Sequence, residues 1–135
     1  MDNYFYFNIE KIQPSQLYLS DKKINEALNL FQNSGLEVLQ PLPIKELNNE
    51  IIFTNGHTRA YVLWLNGIKQ IKVIWEDEDL DWELYIMCVK WCKEAGVQTI
   101  ADLKDRIIDH KSYKVKWIKK CEDLEKKLHN QYKFN

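Results

Sequence analysis

Tyr4, Tyr6, Asn8 and Glu10 alternate with Phe5, Phe7, Ile9 and Lys11, and this period of two predicts a first strand over residues 4–12. Pro14-Ser15 breaks it, and residues 16–19 read as extended, with Leu17 and Leu19 on one side. The period then changes. Ser20 is a natural N-cap for a helix from Asp21, in which Ile24, Leu28 and Phe31 share a face, and Asn33-Ser34-Gly35 ends it. Residues 44–47 and 50–54 read as two strands joined at Asn48-Asn49. A helix over 57–66 follows, stopped by Gly67, with Ala60, Leu63 and Trp64 as its buried stripe. Residues 70–75 form another strand, with Ile71, Val73 and Trp75 on one face. After Asp81 the pattern predicts helices only. The first spans 82–95. The second opens on a Thr99/Asp102 capping box and carries Ile100, Leu103, Ile107 and Ile108. The last starts near Ser112 and carries Tyr113, Trp117, Cys121, Leu124 and Leu128. The expected class is α+β: a small mixed sheet with helices over residues 1–80, and a helical extension over 81–135 packed on it.

Composition narrows this only slightly. The 135 residues suit one domain with a buried core, filled by an aromatic-rich set that includes five tryptophans. The formal net charge is −1, which does not advertise a nucleic-acid binder. The charge is split, however: residues up to Asp81 are net acidic and those from Trp82 onward net basic. The basic part, including Lys111, Lys116, Lys119, Lys120 and Lys127, reads as a solvated helix face. Three cysteines, an odd number, argue against a disulfide framework, and Cys88, Cys92 and Cys121 read as buried or half-buried thiols. No signal-peptide pattern and no membrane-spanning run is visible, which fits a reducing cytoplasm.

The candidate chemistry lies in Ile51-Ile52-Phe53-Thr54-Asn55-Gly56-His57-Thr58-Arg59-Ala60. A strand that turns sharply into a helix leaves the first helical N–H groups without partners, at the positive end of the helix dipole. That is a ready anion site. Gly56 permits the turn and lets a ligand approach the backbone. Arg59 offers a planar fork for phosphate or carboxylate. Thr58 can donate its hydroxyl or cap the helix. His57 can act as an acid or base, as a donor, or as a structural residue. Phosphotransfer would also need a carboxylate base, with Glu26 on the first helix and Glu10 at the end of the first strand as candidates. Lys22 and Lys23 open the first helix against its dipole, which suits one of them to face an anion. The acidic run 76–81 lacks the spacing of a calcium loop and reads as a solvated loop and helix start, with no metal site expected.

The order of elements and the turn Thr54-Asn55-Gly56-His57-Thr58-Arg59-Ala60 resemble the ParB/sulfiredoxin superfamily, over roughly residues 5–76. The extended Ile12-Gln13-Pro14-Ser15-Gln16-Leu17, the helix with Lys22-Lys23-Ile24, Leu42-Pro43-Ile44 and Ile71-Lys72-Val73 fall in matching places. The resemblance implies that Gly56, His57, Thr58 and Arg59 hold nucleotide phosphates. Sulfiredoxins carry a catalytic cysteine where this chain has His57, so sulfinic-acid reduction is not expected. Partitioning proteins carry a Gly-Glu-Arg-Arg type of turn. Free-serine-kinase-like members carry Asp-Gly-His-His-Arg, to which this turn is most similar, with Asn55 for the Asp and Thr58 for the second His.

Two function classes stay open. One is a nucleotide-dependent phosphotransferase of the serine-kinase kind. It would take ADP, ATP or CTP with Mg2+, with His57 and Glu26 as catalytic residues and Gly56, His57, Thr58, Arg59 and Lys23 on the phosphates. The other is a non-catalytic module that binds a nucleotide, a small phosphorylated molecule, or a protein partner through the helical tail. A third class, a nucleic-acid binder using the basic last helix, is disfavoured by the near-zero net charge, and no membrane partner is expected.

Overall fold

The structure, a computed structural model, describes residues 3–35 and 40–133. Its first half contains β1 (Phe5–Asn8), β2 (Leu19–Ser20), α1 (Asp21–Ser34), β3 (Leu42–Leu47), β4 (Glu50–Phe53), α2 (His57–Leu65) and β5 (Gln70–Trp75). Then come α3 (Trp82–Glu94), a 3-10 segment (Ile100–Asp105), β6 (Ile107–Ile108), α4 (His110–Tyr113), a π-helical stretch (Lys114–Lys119) and α5 (Lys120–Lys133). The main sheet has the order β1-β5-β3-β4. β5 is antiparallel to β1 and parallel to β3, which it reaches by the crossover through α2. β3 and β4 form a hairpin in the register Leu47 to Glu50. Asn48 and Asn49 both take positive φ, the conformation a two-residue hairpin turn needs and asparagine tolerates.

Burial follows the sequence pattern through most of the sheet. Ile44, Phe53, Ile71 and Val73 are fully or nearly fully buried, as are Ile9, Ile12 and Leu19 on the flanking segments. α2 is apolar almost all round, burying His57 and the run Ala60, Tyr61, Val62 and Leu63, while Trp64 packs half-buried at the edge. The same hydrophobic cluster includes Cys88, Cys92, Ile100, Leu103, Tyr113 and Trp117, so one core runs through both expected units. The extreme ends of those units, residues 1–2 and 134–135, lie outside the described residues.

Four expectations change. The first strand stops at Asn8, because the Asn8 side chain accepts from Glu10 N–H and turns residues 9–11 into a 3-10 helix. Trp75 ends β5 exposed at 47 %, with its ring tilted against Phe5 rather than in the core. The Thr99/Asp102 capping box is present, yet it opens a 3-10 segment that ends at Asp105. Ile107 and Ile108 leave the helix and form β6, paired in parallel with Leu19 and Ser20. The helical extension is therefore not helical throughout. Its last helical run begins at His110, near Ser112 as expected, capped by Asp109 accepting from Ser112 N–H.

Candidate functional site

β4 delivers the chain to the turn, and its backbone is fixed from several sides. Gln13 N–H donates to Ile51 O and Phe53 N–H to Gln13 O, at 2.8 and 3.0 Å. Thr54 donates its hydroxyl to Glu76 Oε1 at 3.0 Å, and its carbonyl accepts from Tyr85 Oη at 2.8 Å. Gly56 then takes φ +78° and ψ 22°, and it N-caps α2 with no side-chain acceptor. The first α2 bond joins Ala60 N–H to Gly56 O, so the N–H groups of His57, Thr58 and Arg59 begin the helix with no intrahelical partner.

Gly56 is crowded as well as left-handed. A Cβ there would stand 2.6 Å from Leu42 Cδ2 and 2.9 Å from Arg59 Nη2. The Arg59 guanidinium thus lies against the turn's own backbone. Its Nη1 donates to Gln40 O at 3.2 Å. Burial pushes its pKa below the ordinary guanidinium value, the sign of a cation partly stripped of water.

His57 points inward. It is 3 % exposed, packs edge-on to Phe53 with ring centroids 5.5 Å apart, and accepts the Ser15 N–H on Nε2 at 2.9 Å. Nε2 as acceptor makes the ring the neutral Nδ1–H tautomer. Desolvation agrees, pushing its pKa from 6.5 down to about 3. Proton transfer or phosphate donation by this imidazole would first require Nε2 to release Ser15.

An open cleft of about 520 Å³ gathers the expected residues. Gly56, His57, Thr58 and Arg59 form one wall, and Lys23 and Glu26 from α1 form another. Of the alternative candidates, Glu10 and Lys22 do not line it. The third wall is the tail: Tyr113, Trp117 and Ile118. Lys23 Nζ sits 5.2 Å from the Tyr113 ring centroid, and Gln16 Nε2 donates to Tyr113 Oη at 3.1 Å.

Several residues that shape the site carried no readable signal. Ser15 is buried and also donates its hydroxyl to Phe53 O at 2.7 Å. The sequence marked Pro14-Ser15 only as a break. Tyr85 lies 31 positions from Thr54 and falls in an ordinary apolar helix. Glu76 and Asp81, from the acidic run, serve local structure: Glu76 holds Thr54, and Asp81 caps α3 by accepting from Leu84 N–H.

No protein-family model matches the chain, and no characterised protein matches it in sequence. Among solved structures it is similar to protein Atu1540 from Agrobacterium tumefaciens, at 10 % identity and a TM-score of 0.51. That similarity covers 76 % of this chain and 61 % of the other, so the chain spans about three fifths of that protein. Sulfiredoxin from Arabidopsis thaliana is similar at 15 % identity, over 57 % of this chain and 88 % of that one, with a TM-score of 0.47. The C-terminally truncated chromosome-partitioning protein ParB from Caulobacter crescentus, complexed with CTP-gamma-S, is similar at 16 % identity, over 70 % and 54 %, also with a TM-score of 0.47. The small mixed sheet with helices is the expected α+β class, and its likeness to protein Atu1540 is one of fold. At such identities the likeness concerns the fold alone. Among the described residues no helix is long and apolar enough to cross a membrane.

Proposed function

We propose that this ParB/sulfiredoxin-like chain binds a nucleotide or a small phosphorylated molecule at Gly56–Arg59. One observation carries the reading: α2 starts at a left-handed glycine with no side-chain cap, and a partly desolvated guanidinium lies against that glycine. Unpaired N–H groups, the helix dipole and a planar cation converge on one spot, a combination that suits a phosphate. In this reading His57 gives its backbone N–H and not its ring. Thr58 adds its hydroxyl, and Lys23 supplies charge from across the cleft. The donor set fits a nucleotide polyphosphate, and Mg2+ would arrive on the nucleotide.

Of the two function classes, the state of His57 favours binding without phosphotransfer. A neutral ring whose Nε2 is engaged by Ser15 is a poor acid or base at neutral pH. If transfer occurs, Glu26 is the carboxylate in the cleft that could take a hydroxyl proton from a serine-like acceptor.

The test is thermal unfolding with ADP, ATP, CTP and inorganic phosphate, each with and without Mg2+. A ligand at a hundred times its dissociation constant adds about 2.7 kcal/mol to native stability. An upward shift that disappears in Arg59→Ala supports the site, and no shift with any of the four sinks it. Nucleotide turnover with a hydroxyl acceptor, lost in Glu26→Gln, would restore the phosphotransferase class.

A further inference from the structure

We propose that a second cavity, which shares Arg59 with the phosphate cleft, is a separate ligand site that takes a planar aromatic carboxylate. The cavity holds about 330 Å³, within the range of roughly 300–1,000 Å³ common to small-molecule sites. Leu42 from β3, Leu63 from α2 and Ile71 from β5 give it a buried apolar floor. The N-terminal strand supplies its rim. β1 is the outer strand of the sheet, and Tyr4 and Tyr6 beside the cavity are 41 % and 60 % exposed. Rings so exposed contribute little to the core; they are large apolar surfaces left facing a cavity. They meet edge-on, with centroids 6.1 Å apart and planes at 87°. A flat ligand ring can stack on one and meet the edge of the other.

The charge around the cavity selects an anion. Among the described residues that line it are two cations, Arg59 and Lys72, and no carboxylate. Lys72 lies opposite Tyr6 in the β1–β5 register, with Nζ 4.5 Å from the Tyr4 ring centroid. Arg59 Nη1 donates to Gln40 O at 3.2 Å, and no described carboxylate forms an ion pair with the guanidinium. A guanidinium has several N–H donors, so one bond to a carbonyl leaves it able to take a charged acceptor as well. The helix start decides which anion. Gly56, His57 and Thr58 line the phosphate cleft but not this cavity. With no exposed helix N–H groups to hold a multiply charged head, the cavity suits a single carboxylate, which the planar Arg59 matches in shape.

The test titrates the full chain, isotope-labelled for amide NMR, with naphthoate and with naphthamide as its uncharged isostere. Naphthoate should bind saturably, one to one, and shift the amides of Leu63, Ile68, Gln70 and Lys72. Naphthamide should bind roughly tenfold to a hundredfold more weakly, for want of the charge-assisted bond. Tyr6→Ser, at an exposed position outside the core, should weaken naphthoate by roughly threefold to tenfold and leave any response to ATP or inorganic phosphate unchanged. Equal binding of the amide would overturn the proposal. So would shifts centred on Lys23, Thr58 and Ile118, indifference to Tyr6→Ser, or no saturable binding in the millimolar range. A chain that ignores ATP and phosphate yet takes naphthoate in this way would keep this site and lose the phosphate reading.

Discussion

The Ser15 N–H donates to His57 Nε2 at 2.9 Å, inside the fold and across 42 positions of chain. This bond makes the imidazole a neutral strut between the Pro14-Ser15 segment and the start of α2. Burial of the ring makes stability pH-dependent as well. The folded pKa is depressed to about 3 from 6.5, so between those values the unfolded chain binds a proton that the folded chain refuses. The stabilisation is fully present above pH 6.5 and is lost as pH falls, by at most about 1.4 kcal/mol per unit. Urea unfolding of wild type at pH 7.5, 6 and 5 should show that slope. His57→Gln, which keeps a neutral acceptor for Ser15, should flatten it. His57→Ala loses both acceptor and packing and should cost about 2–4 kcal/mol at pH 7.5.

Gly56 and Gly67 share nearly the same φ, +78° and +79°, but not the same surroundings. A Cβ at Gly67 meets nothing within 4 Å, whereas one at Gly56 collides with Leu42 and Arg59. Gly67→Ala should therefore cost only the left-handed strain, about 1–2 kcal/mol. Gly56→Ala should cost a further ~1–3 kcal/mol for overpacking and should displace the guanidinium. Denaturant midpoints for the pair separate the two contributions.

Arg59 is the charged group on which the phosphate reading turns. Losing a charge-assisted bond of about 1.5–3 kcal/mol predicts affinity weakened roughly tenfold to a hundredfold in Arg59→Ala. Arg59→Lys should recover part of this, because the charge returns without the planar fork. Calorimetric titration with ATP or inorganic phosphate measures both.

The tail is expected to be structural as well as to wall the cleft. Trp117 is 6 % exposed and meets the Trp91 ring edge-on at 6.3 Å. Trp117→Ala should destabilise the whole fold by about 3–5 kcal/mol. Asp109→Ala, which removes only the cap at the start of that helical run, should cost about 1 kcal/mol. Chemical denaturation followed by tryptophan fluorescence and by circular dichroism should report one transition if a single core spans both halves.

The strands β3, β4 and β5, the caps at Ser20 and Thr99 and the Asn48-Asn49 hairpin were legible because each is a local pattern. The turn was legible for the same reason, since a glycine between a strand and a helix announces an exposed helix start. Whatever depends on distant partners was hidden. Ile107 and Ile108 continue an apolar helical spacing, and only pairing with Leu19 and Ser20 makes them a strand. The inward aim of His57 depends on an N–H that the linear pattern treats as part of a break. Trp75 fits the alternation of β5, yet it ends the strand beyond the reach of covering helices.

The parallel pairing of β2 with β6 has a consequence for how the chain is made. Leu19 meets Ile107, and the Arg106 side chain bonds the Leu17 carbonyl from 89 positions away. Contacts of such high sequence separation incur a loop-closure entropy cost before they contribute any stability, and they slow folding. As synthesis proceeds, the segment around Leu17 and Leu19 has no sheet partner until residue 108 has left the ribosome. For that interval the Leu19 backbone, destined for a parallel ladder, waits unpaired on a half-finished chain.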